Sequence, residues 1–114
     1  MSDREYLSLF AKRPGMYIGR VSLLGVTAFL EGFDFAARRF GGPGRGLDGW
    51  RDWLMANHQV SDNLVWEAQI REIALPGWQG GWELSPEAEA DVLAVLFELL
   101  DTFLAGRDGE SSTS

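Results

Sequence analysis

The side chains with the most familiar catalytic chemistry are scarce in this sequence. It contains no cysteine and a single histidine, His58. The absence of cysteine excludes disulfides, thiolate nucleophiles and cysteine-ligated zinc. A triad with a hydroxyl nucleophile would require Ser61 or Asp62 to turn back toward His58. Because such neighbours are common by chance, we interpret His58 as an ordinary residue at a helix end, where its positive charge suits the helix dipole.

Carboxylates are abundant, and their spacing near the C-terminus indicates a surface. Glu87 and Asp91 are four residues apart, a spacing that in principle permits acid–base catalysis. At about 100° per residue, Glu87, Asp91, Glu98 and Asp101 share an arc of roughly 80° on one helix. The opposite side is apolar: Val92, Leu96, Leu99 and Phe103. No basic residue lies between positions 85 and 105, so the stripe is either a solvated outer face or a docking surface for a basic partner.

The net charge of −7 is distributed unevenly along the chain. Residues 1–57 carry eight basic and six acidic side chains, whereas residues 58–114 carry two basic and eleven acidic ones. An acidic half repels the phosphate backbone of nucleic acids and attracts basic partners. We therefore expect a protein partner with a basic surface and no nucleic-acid partner.

The sequence also predicts where the protein resides. It has no apolar run of the roughly 18 residues that a membrane helix needs, so we expect no membrane association. The first five residues are mostly charged or polar and do not resemble a secretion signal. Together with the lack of cysteine, these features favour a cytoplasmic protein.

Helical periodicity dominates the chain. We predict an all-α fold with about five helices in one compact domain, residues 1–106, followed by a disordered polar tail, residues 107–114. The predicted helices cover residues 2–12, 22–40, a short stretch after Asp48, a stretch from about 61–63 to 75, and 85–105. Residues 64–75 are short and rich in branched side chains, so a strand remains the alternative there.

Two glycine-containing segments are expected to shape the packing. Arg13-Pro14-Gly15-Met16-Tyr17-Ile18-Gly19 is predicted to form a rigid elbow under the second helix. Gly25 and Gly32 lie on nearly one face of that helix, which would permit close approach of another backbone such as the elbow. The glycine-rich residues 41–46 are expected to end the helix in a mobile loop.

Two tryptophans, Trp78 and Trp82, lie in a second glycine-rich stretch just before the last helix. Tryptophan is enriched at binding hot spots. It also commonly folds over a small core and donates a hydrogen bond through its ring nitrogen. The sequence leaves both roles open.

The segment Lys12-Arg13-Pro14-Gly15-Met16-Tyr17-Ile18-Gly19 resembles one near the start of type II topoisomerase subunits such as the ATP-binding subunit of gyrase. That family continues with a Glu-x-x-Asp-Asn helix whose Asn helps to hold magnesium and ATP. Here Glu31 and Asp34 keep the spacing, but Phe35 replaces the Asn. The family's glycine-rich ATP lid is not recognisable either, so we expect no cofactor.

Three further motifs follow the elbow in order: Phe29-Leu30-Glu31-Gly32-Phe33, Gly49-Trp50-Arg51-Asp52-Trp53-Leu54 and Asp62-Asn63-Leu64-Val65-Trp66. With the acidic last helix, this order is similar to a family of small, mostly uncharacterised bacterial proteins. Some of them look like immunity proteins of toxin systems. The resemblance spans roughly residues 12–104 and implies no catalytic residue.

These observations favour an acidic, non-enzymatic binding protein, with neutralisation of a cognate bacterial toxin as the specific expectation. The alternative is a structural or regulatory domain that forms a homodimer through an apolar patch. The expected partner-binding residues are Glu87, Asp91, Glu98, Asp101, Trp78 and Trp82.

The replacement of the nucleotide-binding Asn by Phe35 generates the first prediction. ATP with magnesium should leave the melting temperature unchanged, because a ligand raises it only by binding the folded state. Thermal unfolding at increasing ATP concentration measures this directly. A concentration-dependent rise of several degrees would contradict the expectation and support a gyrase-like site.

Overall fold

The computed structural model describes residues 2–15, 22–42, 44–60, 62, 64–77 and 84–107. Within them lie five α-helices: α1 (Asp3–Lys12), α2 (Leu23–Gly41), α3 (Trp50–His58), α4 (Trp66–Ala74) and α5 (Pro86–Arg107). No strand occurs in this part of the chain, and the predicted all-α fold is confirmed. Residues 66–74 are helical, so the strand alternative for residues 64–75 is wrong.

Serine caps begin the three helices whose starts were clearest in the sequence. Ser2 forms a capping box with Glu5: its Oγ accepts from the Glu5 N–H at 3.1 Å, and its N–H donates to Glu5 Oε1 at 2.9 Å. Ser22 Oγ accepts from the Gly25 N–H at 3.0 Å. Ser85 Oγ accepts from the Ala88 N–H at 3.1 Å. These bonds satisfy backbone donors that the first helical turn leaves unpaired.

The third helix starts differently from the prediction. Its N-cap is Gly49, in the left-handed region at φ +88°, and no side chain caps it. Asp48, the expected cap, instead accepts a hydrogen bond from the Gly44 N–H at 2.8 Å and lies 3.9 Å from Arg38. The glycine permits the positive φ that the turn into α3 requires.

The last helix lies at the centre of the packing, since α1, α2, α3 and α4 all contact it. Its inner side supplies several fully buried side chains to a single core. The core members that are least exposed come from every helix: Phe10, Val26, Leu30, Trp50, Leu54, Ile70, Val92, Leu96 and Leu104.

Aromatic contacts join the peripheral helices to this core. Between α1 and α2, the Phe10 and Phe29 rings stack with centroids 4.0 Å apart, and Tyr6 stacks on Phe33 at 5.5 Å. Between α3 and α5, the buried Trp50 ring lies 5.4 Å from Phe103. Such pairs stabilise a fold by about 0.5–1.5 kcal/mol beyond the area they bury.

A buried carboxylate ties both ends of the described chain together. Asp3 accepts hydrogen bonds from Arg45 Nε at 3.1 Å and Nη2 at 2.8 Å, from the Gly46 N–H at 2.7 Å and from Arg107 Nη2 at 3.3 Å. Arg107 also donates to the Gly46 carbonyl at 2.8 Å. We call Asp3, Arg45, Gly46 and Arg107 the Asp3 cluster.

The last helix, α5, extends to Arg107, so this residue belongs to the helix and not to the predicted tail. Residues 108–114 lie outside the described part of the chain.

The loop after α2 is anchored, whereas a mobile loop was expected for residues 41–46. Gly46 and Leu47 are buried, and Asp34 Oδ1 accepts from the Leu47 N–H at 2.7 Å. Gly46 has φ +62°, and a Cβ there would lie 2.8 Å from Asp34 Oδ1. A glycine is required at this position because both the backbone conformation and the space exclude a side chain.

The outer face of α2 is open around Gly32. No described atom lies within 4 Å of a Cβ built on Gly32, which is exposed. The expected close approach of a backbone from the same chain is therefore not found at Gly32 in the described ranges. The proposed partner, the elbow side chains of residues 16–18, lies outside them.

The Asp3 cluster generates the second prediction. Asp3→Asn should lower the free energy of unfolding by about 2 kcal/mol, because it leaves two arginines facing a neutral amide. The loss should be smaller than the roughly 3–5 kcal/mol seen for fully buried pairs, since the Arg45 side chain is 46% exposed. Denaturant unfolding measures it. Asp52→Asn, at an exposed first-turn position of α3, is the matched control and should change stability little.

The same carboxylate predicts the acid dependence of stability. Hydrogen bonds from Arg45, opposed by burial, hold the pKa of Asp3 below its ordinary value of 3.8. Because the folded state then binds fewer protons than the unfolded state, the stabilisation is complete well above pH 4 and is lost as pH falls through the lowered pKa. The Asp3→Asn variant should show a shallower loss of stability on acidification. An unchanged slope would contradict this role of Asp3.

Candidate functional site

The candidate surface is built on α5, the longest helix. Pro86 occupies its first position, and the Ser85 carbonyl accepts from the Glu89 N–H at 2.8 Å. Pro86 is favourable there because a first-turn residue has no intrahelical use for an N–H. The inner side is held in the core by Val92 and Leu96, both 0% exposed. This burial fixes which side of the helix faces outward.

Three predicted partner-binding carboxylates lie along that outer side. Glu87, Asp91 and Glu98 are all exposed, and the exposed Ala90 and Ala94 lie between them. Among the residues that the structure describes, no cation forms an ion pair with any of the three. We call Glu87, Asp91 and Glu98 the acidic stripe. Its small alanines leave the carboxylates accessible, so the stripe presents concentrated negative charge to solvent.

Asp101, the fourth predicted carboxylate, differs from the others because it is paired. Arg4 of α1 donates to it twice, from Nε to Oδ1 at 2.8 Å and from Nη2 to Oδ2 at 3.1 Å. This hydrogen bonding, with the Arg4 charge, holds the pKa of Asp101 below its ordinary value despite partial burial. The side chain is still 45% exposed, so Asp101 borders the acidic stripe as a partly neutralised end.

No local pattern indicated this pairing, since Arg4 and Asp101 are 97 residues apart. The remaining predicted partner-binding residues, Trp78 and Trp82, lie outside the described residues. Their placement relative to the acidic stripe therefore stays a prediction.

Another acid of α5 has a structural role that sequence reasoning did not identify. Glu89 Oε2 accepts from the Leu23 N–H at 2.8 Å, which satisfies a first-turn donor of α2. The bond joins two helices through residues that are 66 positions apart. Glu89 is therefore occupied within the fold, in contrast to the acidic stripe beside it.

Beside Glu89 lies a cavity of about 320 Å³ between α2, α4 and α5. Leu23, Leu24, Thr27 and Leu84 line it together with polar side chains from α4 and α5. One of these is Glu67, whose pKa is raised chiefly by burial and secondarily by the negative charge of Glu31. The partly buried carboxyl group of Glu67 thus lies in a cavity whose other walls are mainly apolar. No sequence motif indicated this cavity.

The predicted structural role of His58 agrees with its surroundings. It is the last residue of α3, and its ring lies 5.7 Å from that of Trp53. Asp62 is exposed, and Ser61 lies outside the described residues.

No group of three or more His, Asp or Glu side chains suited to a metal ion occurs in the described part of the chain. None of the described helices is both long enough and apolar enough to span a bilayer.

Comparison with known proteins returns no relative: no family model matches the chain, and no curated protein or solved structure matches it significantly.

The Arg4–Asp101 pair generates the third prediction. Arg4→Gln should raise the pKa of Asp101 toward its ordinary value of 3.8, because it removes both hydrogen bonds and the positive charge. Stability should fall by less than about 1 kcal/mol, since both side chains are partly exposed. A carboxyl NMR titration of Asp101 measures the pKa.

Arg4→Lys is the matched control. It keeps the charge but loses the two-point geometry, so the pKa of Asp101 should remain between those of the wild type and Arg4→Gln. An Asp101 pKa that is the same in all three proteins would show that the pair does not persist in solution.

Proposed function

We propose that this protein is a non-enzymatic binding domain that recognises a basic protein surface through the acidic stripe on α5. The observation that carries the proposal is that Glu87, Asp91 and Glu98 are exposed and without an ion-pair partner among the described residues. Other acids satisfy internal donors: Asp3, Asp34, Asp48, Glu89 and Asp101.

Unpaired like charges on one helix face are unfavourable in the isolated protein. Carboxylates four residues apart repel each other, which destabilises a helix by a few tenths of a kcal/mol per pair. Glu87 and Asp91 have this spacing. A basic partner removes the repulsion, and opposed charges also accelerate association and favour correct partners.

The specific partner that we propose is a bacterial toxin with a basic surface, which the protein would occlude as an immunity protein. The support is the resemblance of the elbow and the three motifs after it to a family of small, mostly uncharacterised bacterial proteins, some of which look like immunity proteins. The mechanism is steric and electrostatic occlusion, and Asp101 at the edge of the stripe adds part of its charge. Trp78 and Trp82 are the proposed apolar anchors, because buried aromatic residues dominate binding energy at interfaces.

The fourth prediction tests the acidic stripe. Reversal of Glu87, Asp91 and Glu98 to lysine should leave the fold intact, because each exposed substitution changes stability by about 0.5 kcal/mol or less. Association with the basic partner should slow by about tenfold or more, chiefly in the on-rate. Asp101 is left unchanged so that its pair with Arg4 survives. The partner is obtained by pull-down from the host, and on-rates are measured at low and high salt.

The matched control reverses three exposed acids elsewhere, Asp52, Asp62 and Glu72. Both triple variants change the net charge by the same amount, so a loss confined to the stripe variant identifies a local interface and not a general charge effect. The wild-type on-rate should fall with added salt, since screening shortens the Debye length to about 8 Å near physiological ionic strength. A partner whose on-rate ignores both salt and the reversals would exclude the electrostatic mechanism.

A further inference from the structure

The cavity of about 320 Å³ between α2, α4 and α5 has no part in the proposed function. An apolar cavity of about 150 Å³ is already large enough to hold benzene. Small-molecule sites in proteins begin at about 300 Å³. The volume therefore suits a ligand that combines an apolar group of the size of a benzene ring with a small polar head.

One part of the cavity lining is apolar. Leu23 of α2 and Leu84, which precedes α5, line the cavity and pack against the core. Leu24 lines it as well and is 81% exposed. Thr27 is buried, and its Oγ1 donates to the Leu24 carbonyl at 3.0 Å. An apolar ligand group that displaces water from these walls gains about 25 cal/mol for each Å² removed from solvent.

The other part of the lining carries three charged side chains: Glu67 and Arg71 of α4, and Glu89 of α5. Glu89 already accepts from the Leu23 N–H at 2.8 Å. Glu67 and Arg71 are four residues apart, so they are neighbours on one face of α4 with Cβ atoms about 5–6 Å apart. A negative and a positive group therefore border the cavity side by side.

Glu67 is the side chain that gains most from a positively charged ligand. It is half-buried, and no cation forms an ion pair with it within the described ranges. Burial and the negative charge of Glu31 on α2 raise its pKa, since both disfavour the ionised carboxylate. An ammonium group beside Glu67 supplies three donors and a compensating charge.

Arg71 provides the matching contact for a negatively charged group. It is only 9% exposed, although it is charged. A guanidinium carries five donors in a planar fork that fits both oxygens of a carboxylate. It can therefore hold a ligand carboxylate while it keeps its other contacts.

We propose that this cavity binds a free α-amino acid with an apolar side chain, of the size of leucine or phenylalanine. The ligand ammonium lies at Glu67, its carboxylate at Arg71 and its side chain against Leu23 and Leu84. One carbon atom separates the two charged groups of such a ligand, which suits protein groups one helical turn apart. A simple amine would bring a like charge toward Arg71, and a simple carboxylate would bring one toward Glu67.

The first arm of the experiment adds L-phenylalanine and, separately, L-leucine to the full chain. The melting temperature should rise with ligand concentration, because both ligands bind the folded state, and titration calorimetry gives the dissociation constants. Glu67→Gln should raise these constants by about tenfold or more, since it removes a hydrogen bond to a charged group. Glu72→Gln is the matched control: it makes the same change at an exposed position of α4 and should bind like the wild type. Circular dichroism verifies that both variants retain their helices.

The second arm changes the ligand and leaves the protein as it is, so it requires no substitution of the buried Arg71. 2-Phenylethylamine lacks the carboxylate of phenylalanine, and 3-phenylpropionate lacks its ammonium group. Each should bind at least about tenfold more weakly than L-phenylalanine, because each loses one of the two charged contacts.

Three results would overturn the proposal. The first is no saturable response to either amino acid up to about 10 mM, ten times the dissociation constant of a weak millimolar ligand. The second is an unchanged dissociation constant in Glu67→Gln, and the third is equally tight binding of the amine or of the carboxylate analogue.

The outcome is separable from that of the proposed function. At about 100° per residue, the acidic stripe lies on the opposite side of α5 from Glu89. Lysine reversal of the stripe should therefore leave amino-acid binding unchanged, and Glu67→Gln should leave the on-rate of the basic partner unchanged.

Discussion

The burial of one carboxylate constrains the whole chain. Asp3 is 4% exposed, and an ionised carboxylate at such a site is tolerated only when donors surround it. Those donors come from two distant parts of the sequence: the turn that holds Arg45 and Gly46, and Arg107 at the end of α5. The start of α1, the turn after α2 and the end of α5 must therefore meet at one point. This requirement sets where the two longest described helices end relative to each other.

Internal pairing also explains which acids remain available. Asp34 satisfies Arg38 and the Leu47 N–H, Glu89 caps α2, and Asp101 receives Arg4. Each of these carboxylates accepts hydrogen bonds from groups of the same chain in place of water. Few of its lone pairs are then left to accept a hydrogen bond from a ligand. The acidic stripe has no such use among the described residues, and it groups three of the eleven acidic side chains of residues 58–114 on one helix face. Carboxylates that are both unpaired within the described fold and grouped on one helix face are therefore the best candidates for a functional surface.

The sequence predicted those features that depend on neighbouring residues. The caps at Ser2, Ser22 and Ser85 are local hydrogen bonds over three residues, and the buried side of α5 follows from its periodicity. One misinterpreted feature is local: Asp48, the expected cap of α3, accepts from the Gly44 N–H four residues away. Two others depend on contacts across 40 residues or more. Glycine content predicted a mobile loop after α2, but Asp3 anchors Gly46 from 43 positions away. Likewise, nothing near Asp101 indicated Arg4, and the stripe was predicted to have four free carboxylates where the structure leaves three. Trp78 and Trp82 lie outside the described residues, so their part of the predicted site stays a prediction.

The acidic stripe lies on the helix that the other four described helices contact. Val92 and Leu96, both 0% exposed, fix the inner side of α5 in the core, so the three carboxylates project from a well-anchored helix. A surface that is already ordered loses little conformational freedom when a partner binds, and more of the attraction then appears as affinity. The packing around α5 therefore favours recognition through the acidic stripe.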